Sequence, residues 1–419
     1  MPPRPSVPEI FLVALRLGCT SFGGPVAHLA YFRREYVEKR RWLDEAHFGD
    51  LVALCQFLPG PASSQTGFGI GYLQRGLAGG LAAWLGFTLP SAVLMIAFAY
   101  GVIALGRIEG AGWLRGLKAA AVAVVAQAVW AMSRSLCPDW PRRALAIAAA
   151  ALVLWLPFVW SQMAVLGVGA LLGWWWLKAG PALSPSSKAL SGGGSPGLVS
   201  GAAILDPEPV ERASAGPAFR SGAICLGLFF LLLGLLPLLA QATTNPWVEV
   251  MDRFYRTGAL VFGGGHVVLP LLEREIVAPG WLTHDQFLAG YGVVQAVPGP
   301  LFTLSAYVGA VMSHGAGGWL GGIWALLAIF LPALLLVAGV LPFWQRLRHQ
   351  AAAQAALHGA NAAVVGVLLA ALYYPVGTAG ITDGRTLGLA VAAFVALQPG
   401  KVPAWAVVPA AAVFGWWLL

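Results

Sequence analysis

Apolar residues fill windows far longer than the roughly 20 positions a helix needs to cross a bilayer. Residues 76–106, 144–177, 286–345 and 349–382 contain no Asp, Glu, Lys or Arg. The pattern predicts helical segments near 9–31, 47–73, 77–105, 111–133, 143–160 and 161–178. After these come 222–243, 247–270, 284–312, 317–343, 352–376, 384–399 and 403–419. As one helix, 144–177 would extend about 51 Å, beyond the roughly 45 Å of a whole bilayer. Pro157 lies in its middle, so two short spans are expected. Residues 179–221 are rich in Ser, Gly and Pro and carry charges that the spans lack, which reads as a flexible aqueous linker between residues 1–178 and 222–419.

Composition agrees with this pattern. The 419 residues are 58% hydrophobic and 10% charged, against about 25% charged in soluble proteins, and mean hydropathy is +0.75. The expected fold class is therefore an all-α polytopic membrane protein. A net charge of +8 is explained by the cytoplasmic bias of Lys and Arg in loops. No basic stripe interleaved with aromatics suggests nucleic acid. Cys19, Cys55, Cys137 and Cys225 form no ligand-like pair and read as packing residues. No cleavable signal sequence is evident after Met1, and the first span is expected to direct its own insertion.

The chain repeats itself. Phe22-Gly23-Gly24-Pro25, Trp42-Leu43 and Gln56-Phe57-Leu58-Pro59-Gly60-Pro61 return as Phe262-Gly263-Gly264-Gly265, Trp281-Leu282 and Gln295-Ala296-Val297-Pro298-Gly299-Pro300. From Phe to Trp the spacing is 20 and 19, and from Trp to Pro-Gly-Pro it is 17 in both copies. Thr88-Leu89-Pro90-Ser91 is matched by Phe330-Leu331-Pro332-Ala333, and Arg115-Gly116-Leu117-Lys118 by His358-Gly359-Ala360-Asn361. Seven apolar segments separate the two Phe-Gly-Gly units, an odd number that would invert the second repeat. Arg33, Arg34, Lys39, Arg40 and Arg41 place the first Phe-to-Trp stretch in the cytoplasm, whereas its counterpart holds only Arg274 between Glu273 and Glu275. Arg346 and Arg348 oppose this count.

Broken backbone inside hydrocarbon is tolerated only where protein or a water-filled cavity surrounds it, and equivalent breaks in two repeats point to a transport site. The Pro-Gly-Pro breaks are therefore expected to be broken or re-entrant helices at the repeat interface. N–H groups there, with the hydroxyls of Ser63, Ser64 and Thr303, would form an anion cradle. The alternative is a pair of kinks with hydroxyls bonded back to the preceding turn. The Phe-Gly-Gly units would leave helical geometry and present further N–H groups, or serve only as close helix contacts. Arg16 and Arg256, equivalent in the repeat, suit a divalent oxyanion or snorkel to the interface. His28, His266 and Asp50 are candidates for carrying protons. No Walker A, HExxH, CxxC or GxSxG sequence occurs, so no enzyme chemistry, metal or cofactor is expected.

These motifs resemble the chromate ion transporter superfamily in its long two-domain form, over about residues 22–130 and 262–376. The resemblance implies an inner-membrane protein with two homologous halves of opposite orientation. It also implies export of chromate from the cytoplasm, driven by the proton-motive force, and hence chromate resistance. The expected partners are chromate or a sulfate-like oxyanion, protons as coupling ion, the lipid bilayer and, as a further expectation, a second copy in a homodimer. Rival readings are transport of another tetrahedral oxyanion and a non-transporting scaffold or sensor whose partner binds the linker. Gly265 replaces Pro25 and the second break lacks the Ser63-Ser64 pair, so the halves are not expected to contribute equally.

Overall fold

The structure, a computed structural model, describes residues 4–106, 110–156, 161–177, 215–262, 265–315, 317–344, 350–398 and 402–418. Most of the expected linker lies outside the described residues, as do Pro157, Gly263, Gly264, Arg346 and Arg348. Among the described residues there are helices and turns and no strand.

Each repeat begins with two helical hairpins. In the first, α1 (Val7–Thr20) runs inward and α2 (Gly24–Phe32), continued by a π turn at Arg33–Lys39, runs back. Arg40 at the end of the return arm donates to Glu9 at the start of α1, 2.9 Å away. Burial opposes the charge of Glu35 nearby, but its bonds to Arg40 and Lys39 outweigh this and hold the carboxyl below its ordinary range. In the second hairpin α3 (Glu45–Phe57) is followed by residues 62–74 of α4 (Ala62–Leu105). The Leu51 side chain lies where a Cβ on Gly69 would fall, and Gln74 Nε2 donates to the Trp42 carbonyl at 2.8 Å. Both contacts require antiparallel arms with Pro59-Gly60-Pro61 at the tip. Arms of 13 and 14 residues are only about 20 Å long, against roughly 30 Å of hydrocarbon, so the hairpins enter and return without crossing.

The second half repeats this plan. α9 (Pro246–Leu260) pairs with α10 (Val268–Ile276), Arg253 donating to the Glu275 carbonyl at 2.9 Å. α11 (His284–Val294) pairs with α12 (Leu304–Val311): the Tyr307 hydroxyl donates to Gln286 O at 2.7 Å, and Ser313 N–H to Trp281 O at 3.0 Å. Every entering helix is capped at its outer end by a side chain, from Ser6, Asp44, Asn245 and Thr283 respectively, which satisfies N–H groups the helix itself leaves open.

A long helix follows each pair of hairpins. α4 reverses at Arg75 and Gly76, where the backbone is non-helical, so that Gly71 packs on Gly79; Gly309 packs on Gly321 in the equivalent turn before α13 (Gly318–Val340). Residues 77–105 and α13 are equivalent in the repeat and run antiparallel to each other. Trp84 meets Phe330, Ile96 meets Gly322, and Trp319 N–H donates to the Tyr100 hydroxyl at 3.1 Å. The first hairpins thus open at the end of the molecule where Arg75 lies, the near end, and the second pair at the far end beside Tyr100.

The remaining helices are α5 (Gly112–Leu136), α6 (Trp140–Trp155) and α7 (Ser161–Trp176) in the first half, and α14 (Ala351–Ala371), α15 (Gly384–Ala396) and α16 (Ala404–Leu418) in the second. They are exchanged between halves. Gly116 of α5 packs on Ala411 and Gly415 of α16, and its repeat mate Gly359 of α14 packs on Gly169 and Gly173 of α7. Arg115–Asp383 and Lys118–Asp285 ion pairs add charge contacts between halves. Helix α8 (Ala215–Ala242) has no repeat mate and reaches back into the stretch expected as linker. Gly222 meets Gly339 near the end of α13, and Phe229 O accepts from the Tyr255 hydroxyl of α9; α8 thereby leads from the near end to the far end, where α9 starts.

The expected count of seven crossings between repeats is corrected by these contacts. Segments 9–31 and 47–73 are hairpins that return to the side they entered, as are 247–270 and 284–312. Residues 77–105, α5 and α8 are long and apolar enough to cross, whereas α6 and α7, 16 residues each, pack as a pair on α14.

The close approach of α5 and α16 leaves no room for a Cβ at Gly116, which would strike the Ala411 carbonyl. Gly116→Leu is expected to lower the thermal unfolding midpoint of the detergent-purified protein by several degrees, corresponding to about 1–3 kcal/mol of overpacking. The same change at Gly101, where a Cβ meets nothing within 4 Å, should leave the midpoint within error.

Candidate functional site

A Pro-Gly-Pro tip has one backbone N–H among three residues, because proline has none. Each tip spends that N–H on the opposite half. Gly60 N–H donates to the Val261 carbonyl at 2.6 Å, and Gly299 N–H to the Ser21 carbonyl at 3.0 Å. Ser21 and Val261 are the C-cap residues of α1 and α9, where helix carbonyls lack an intrahelical donor. The tip of each half thus satisfies the turn of the other.

Both tip glycines have positive φ, +125° at Gly60 and +102° at Gly299, a region disfavoured for other L-residues. Space is also exhausted. A Cβ at Gly60 would stand 2.8 Å from Ala333 Cβ, and one at Gly299 2.7 Å from Ser91 Oγ. Ala333 and Ser91 are themselves equivalent, so two junctions form. The first joins the turn at 21–24 to the tip at 298–300 beside Ser91; the second joins Val261, at the end of α9, to the tip at 59–61 beside Ala333.

The junctions differ in chemistry. At the first, Thr88 and Ser91 stand where the second has Phe330 and Ala333. His28 packs edge-on against Phe87, centroids 5.3 Å apart, and faces the Ser21 backbone. The His28 ring is buried, and beside it Ser21 Oγ and Thr88 Oγ1 are buried without a hydrogen-bond partner. Behind the first tip, Ser64 Oγ and Gln65 Oε1 are in the same condition. Buried polar atoms are nearly always bonded in folded proteins, so this concentration marks a place built for water or a polar solute.

The expected site residues are distributed as follows. Gly23 and Gly24 have φ of +98° and +78°, and Pro25 lies in the first turn of α2, so this unit does leave helical geometry. Phe22 packs against Trp405 of α16, centroids 5.8 Å apart. Gly265 opens a short 3-10 turn, and Phe262 is half-buried. Gln65 Nε2 holds the Pro59 carbonyl at 2.7 Å; Pro61 caps α4, and Ser63 is buried behind it. Pro298 and Pro300 are buried, and the Pro300 carbonyl accepts from the Thr303 hydroxyl at 2.8 Å. That hydroxyl therefore turns back into its own turn instead of donating to a cradle, whereas its repeat mate Ser64 has no such bond. Gln56 is exposed on α3, and Gln295 caps α11 with Nε2 unpartnered. Asp50 is half-buried on an arm of the hairpin. His266 Nδ1 lies 3.2 Å from the Tyr291 hydroxyl.

Arg16 and Arg256, expected as a matched pair, sit in unlike surroundings. Arg16 is exposed on α1. Arg256 is buried and bonded to Asp252 at 2.8 Å and Glu275 at 3.2 Å. The reason is local: Leu12 occupies in α1 the place of Asp252 in α9. Sequence reasoning passed over Ser21, Thr88, Ser91, Asp252 and Glu275. Thr88 and Ser91 served there only as markers of the repeat, although their replacement by Phe330 and Ala333 is a visible signal of divergence.

Known proteins bear on this geometry. The chromate transport protein of Pseudomonas aeruginosa is 29% identical over 430 aligned positions, covering 99% of this chain and 93% of that protein. The chromate transport protein of Cupriavidus metallidurans is 26% identical over 376 positions, 88% and 82% of the two chains. An uncharacterized transporter of Bacillus subtilis, YwrB, is 33% identical over 159 positions, which are 37% of this chain but 78% of that one, a relative with about the length of one repeat. No solved structure matches. The family described as Chromate transporter matches twice, over residues 8–174 and 248–416, which are α1 to α7 and α9 to α16 with the unpaired α8 left between them. Two copies of one family unit, interlocked through their turns and tips, make this chain a member of the chromate transporter family.

Proposed function

We propose that the chain exports chromate from the cytoplasm across the inner membrane, driven by the proton-motive force, and thereby confers chromate resistance. The single observation that carries this reading is the pair of tip-to-turn junctions, one of them lined by unpartnered buried polar atoms. The names of the full-length relatives supply chromate as the anion. The oxyanion binds at the first junction, where Ser21, His28 and Thr88 meet the turn at Gly23 and Gly24, while the Ser91 hydroxyl donates to the Thr88 carbonyl at 3.0 Å. Hydroxyls and turn N–H groups suit an oxyanion because they donate hydrogen bonds without placing a fixed counter-charge in the membrane interior.

The repeats are inverted across the membrane, with the near end cytoplasmic. Antiparallel packing of 77–105 against α13 supports this, as does the collection of Arg33, Arg34, Lys39, Arg40, Arg41 and Arg75 at the near end. Alternating access follows from rocking one half against the other about the two junctions.

Inverted vesicles containing the protein and energised by respiration should accumulate chromate, and an uncoupler should abolish the uptake. Stronger inhibition by sulfate than by unlabelled chromate would move the physiological substrate to sulfate, and no energised uptake of either anion would overturn the reading. Gly60→Leu and Gly299→Leu, at positive φ and in closed space, should reduce uptake to background while the protein remains in the membrane. Thr88→Val should weaken apparent chromate affinity by about 5- to 10-fold, the equivalent of one hydrogen bond of about 1–1.5 kcal/mol; an unchanged affinity would remove Thr88 from the site.

A further inference from the structure

The helices that lead to the second junction, α9 and α10, carry a different chemistry. A ladder of ionisable groups runs from the far end inward. His314 Nε2 is 2.9 Å from Glu249, Glu249 is 2.8 Å from Arg253, and Arg253 lies 3.6 Å from the Glu275 carboxylate. Glu275 is 3.2 Å from Arg256, which bonds Asp252 at 2.8 Å. Side-chain exposure falls along this path from 32% at His314 and Glu249 to 7% at Glu275 and Asp252. Trp281 seals the outer part, stacked on His314 and lying under the Arg253 guanidinium.

Glu249, Asp252, Glu273 and Glu275 face Arg253, Arg256 and Arg274, with His284 beside Glu273 and His314 beside Glu249. Of the helices packed against α9, α13 carries no ionisable side chain, and α8 offers Cys225 and, at its opposite end, Arg220. Asp252 and Glu275 are the least exposed carboxylates of the set, and burial makes their charges costly, a cost that a proton removes. Glu9 and Glu35 stand in the first half at the places of Glu249 and Glu275, but Leu12 and Val13 replace Asp252 and Arg253, so the buried group of Asp252, Arg256 and Glu275 belongs to the second half alone.

We propose that Asp252 and Glu275, sharing Arg256, form the proton-binding site that couples transport to the proton gradient. This assignment rests on the proposed proton-driven export. A proton arriving from the far end through His314 and Glu249 adds to a carboxylate oxygen of the pair, giving a neutral carboxylic acid, and no other bond is made or broken. Arg256 then loses one of its two anionic partners, and α9 is loosened from α10. The α9 C-cap carbonyl at Val261 is the acceptor of Gly60 N–H, so the change reaches the tip of the opposite half. One junction holds the anion, the helices behind the other hold the proton, and the exchanged tips join them.

Two measurements test this. In the purified protein, infrared difference spectra on acidification through the neutral range should show the band of a buried protonated carboxyl, lost in Glu275→Gln or Asp252→Asn. In proteoliposomes an imposed pH gradient should accelerate chromate flux by wild type, and Glu275→Gln should show equal flux with and without the gradient. Glu275→Asp retains a carboxyl and should keep both the acceleration and a displaced band, whereas a merely structural role would make it behave like the Gln variant. A band surviving in both amide variants would overturn the site, as would undiminished acceleration in Glu275→Gln. Should wild type move no chromate while the band is present and vanishes in the variants, the export reading falls and the proton site stands.

Discussion

Everything in this molecule depends on two hydrogen bonds between halves, Gly60 to Val261 and Gly299 to Ser21. Inside a bilayer a backbone carbonyl at a helix end has no water to turn to. A helix that stops at half depth therefore needs a donor brought from elsewhere in the protein. The Pro-Gly-Pro tip is suited to that task because its one N–H is fixed in direction by the prolines on either side. Neither half can satisfy its own turn, since its own tip is occupied with the other's. The two repeats therefore form a single folded unit at their centre, and the exchange of α5 and α14 between halves extends the same dependence to the periphery.

Reciprocal geometry left room for divergence in chemistry. Both junctions have the same backbone plan, so side chains at equivalent places became free to differ. Thr88 and Ser91 give the first junction its polar lining, while Phe330 and Ala333 close the second with apolar packing. In the other direction, Arg256 gained Asp252 and Glu275 as partners while Arg16 kept an exposed place on α1. α8 contributes to this difference, because it covers α9 through the Tyr255 to Phe229 bond. A buried arginine requires matched carboxylates, and an exposed one does not.

Much of this was legible in the chain. Charge-free apolar windows require membrane helices, since no soluble fold could cover so much apolar surface with so few polar residues. Constant spacing of the Phe-Gly-Gly, Trp-Leu and Pro-Gly-Pro units revealed the two repeats. Proline and glycine at those units required breaks, because the one lacks an N–H and the other tolerates positive φ. Where one helix over 144–177 would exceed a bilayer, two short helices, α6 and α7, stand on either side of residues 157–160, with Pro157 outside the described residues.

What sequence determined, then, was where backbone must leave the helix and which residues are equivalent, both of which are local properties of residue type and spacing. Tertiary structure alone decided that segments such as 47–73 fold back as hairpins instead of crossing, because an apolar run with a break in it is compatible with either path. It alone decided that each tip serves the opposite half, that Thr303 bonds within its own turn, and that Arg16 and Arg256 meet different partners. These outcomes depend on which groups come within hydrogen-bonding distance after some 240 intervening residues have packed, and no spacing along the chain records that distance.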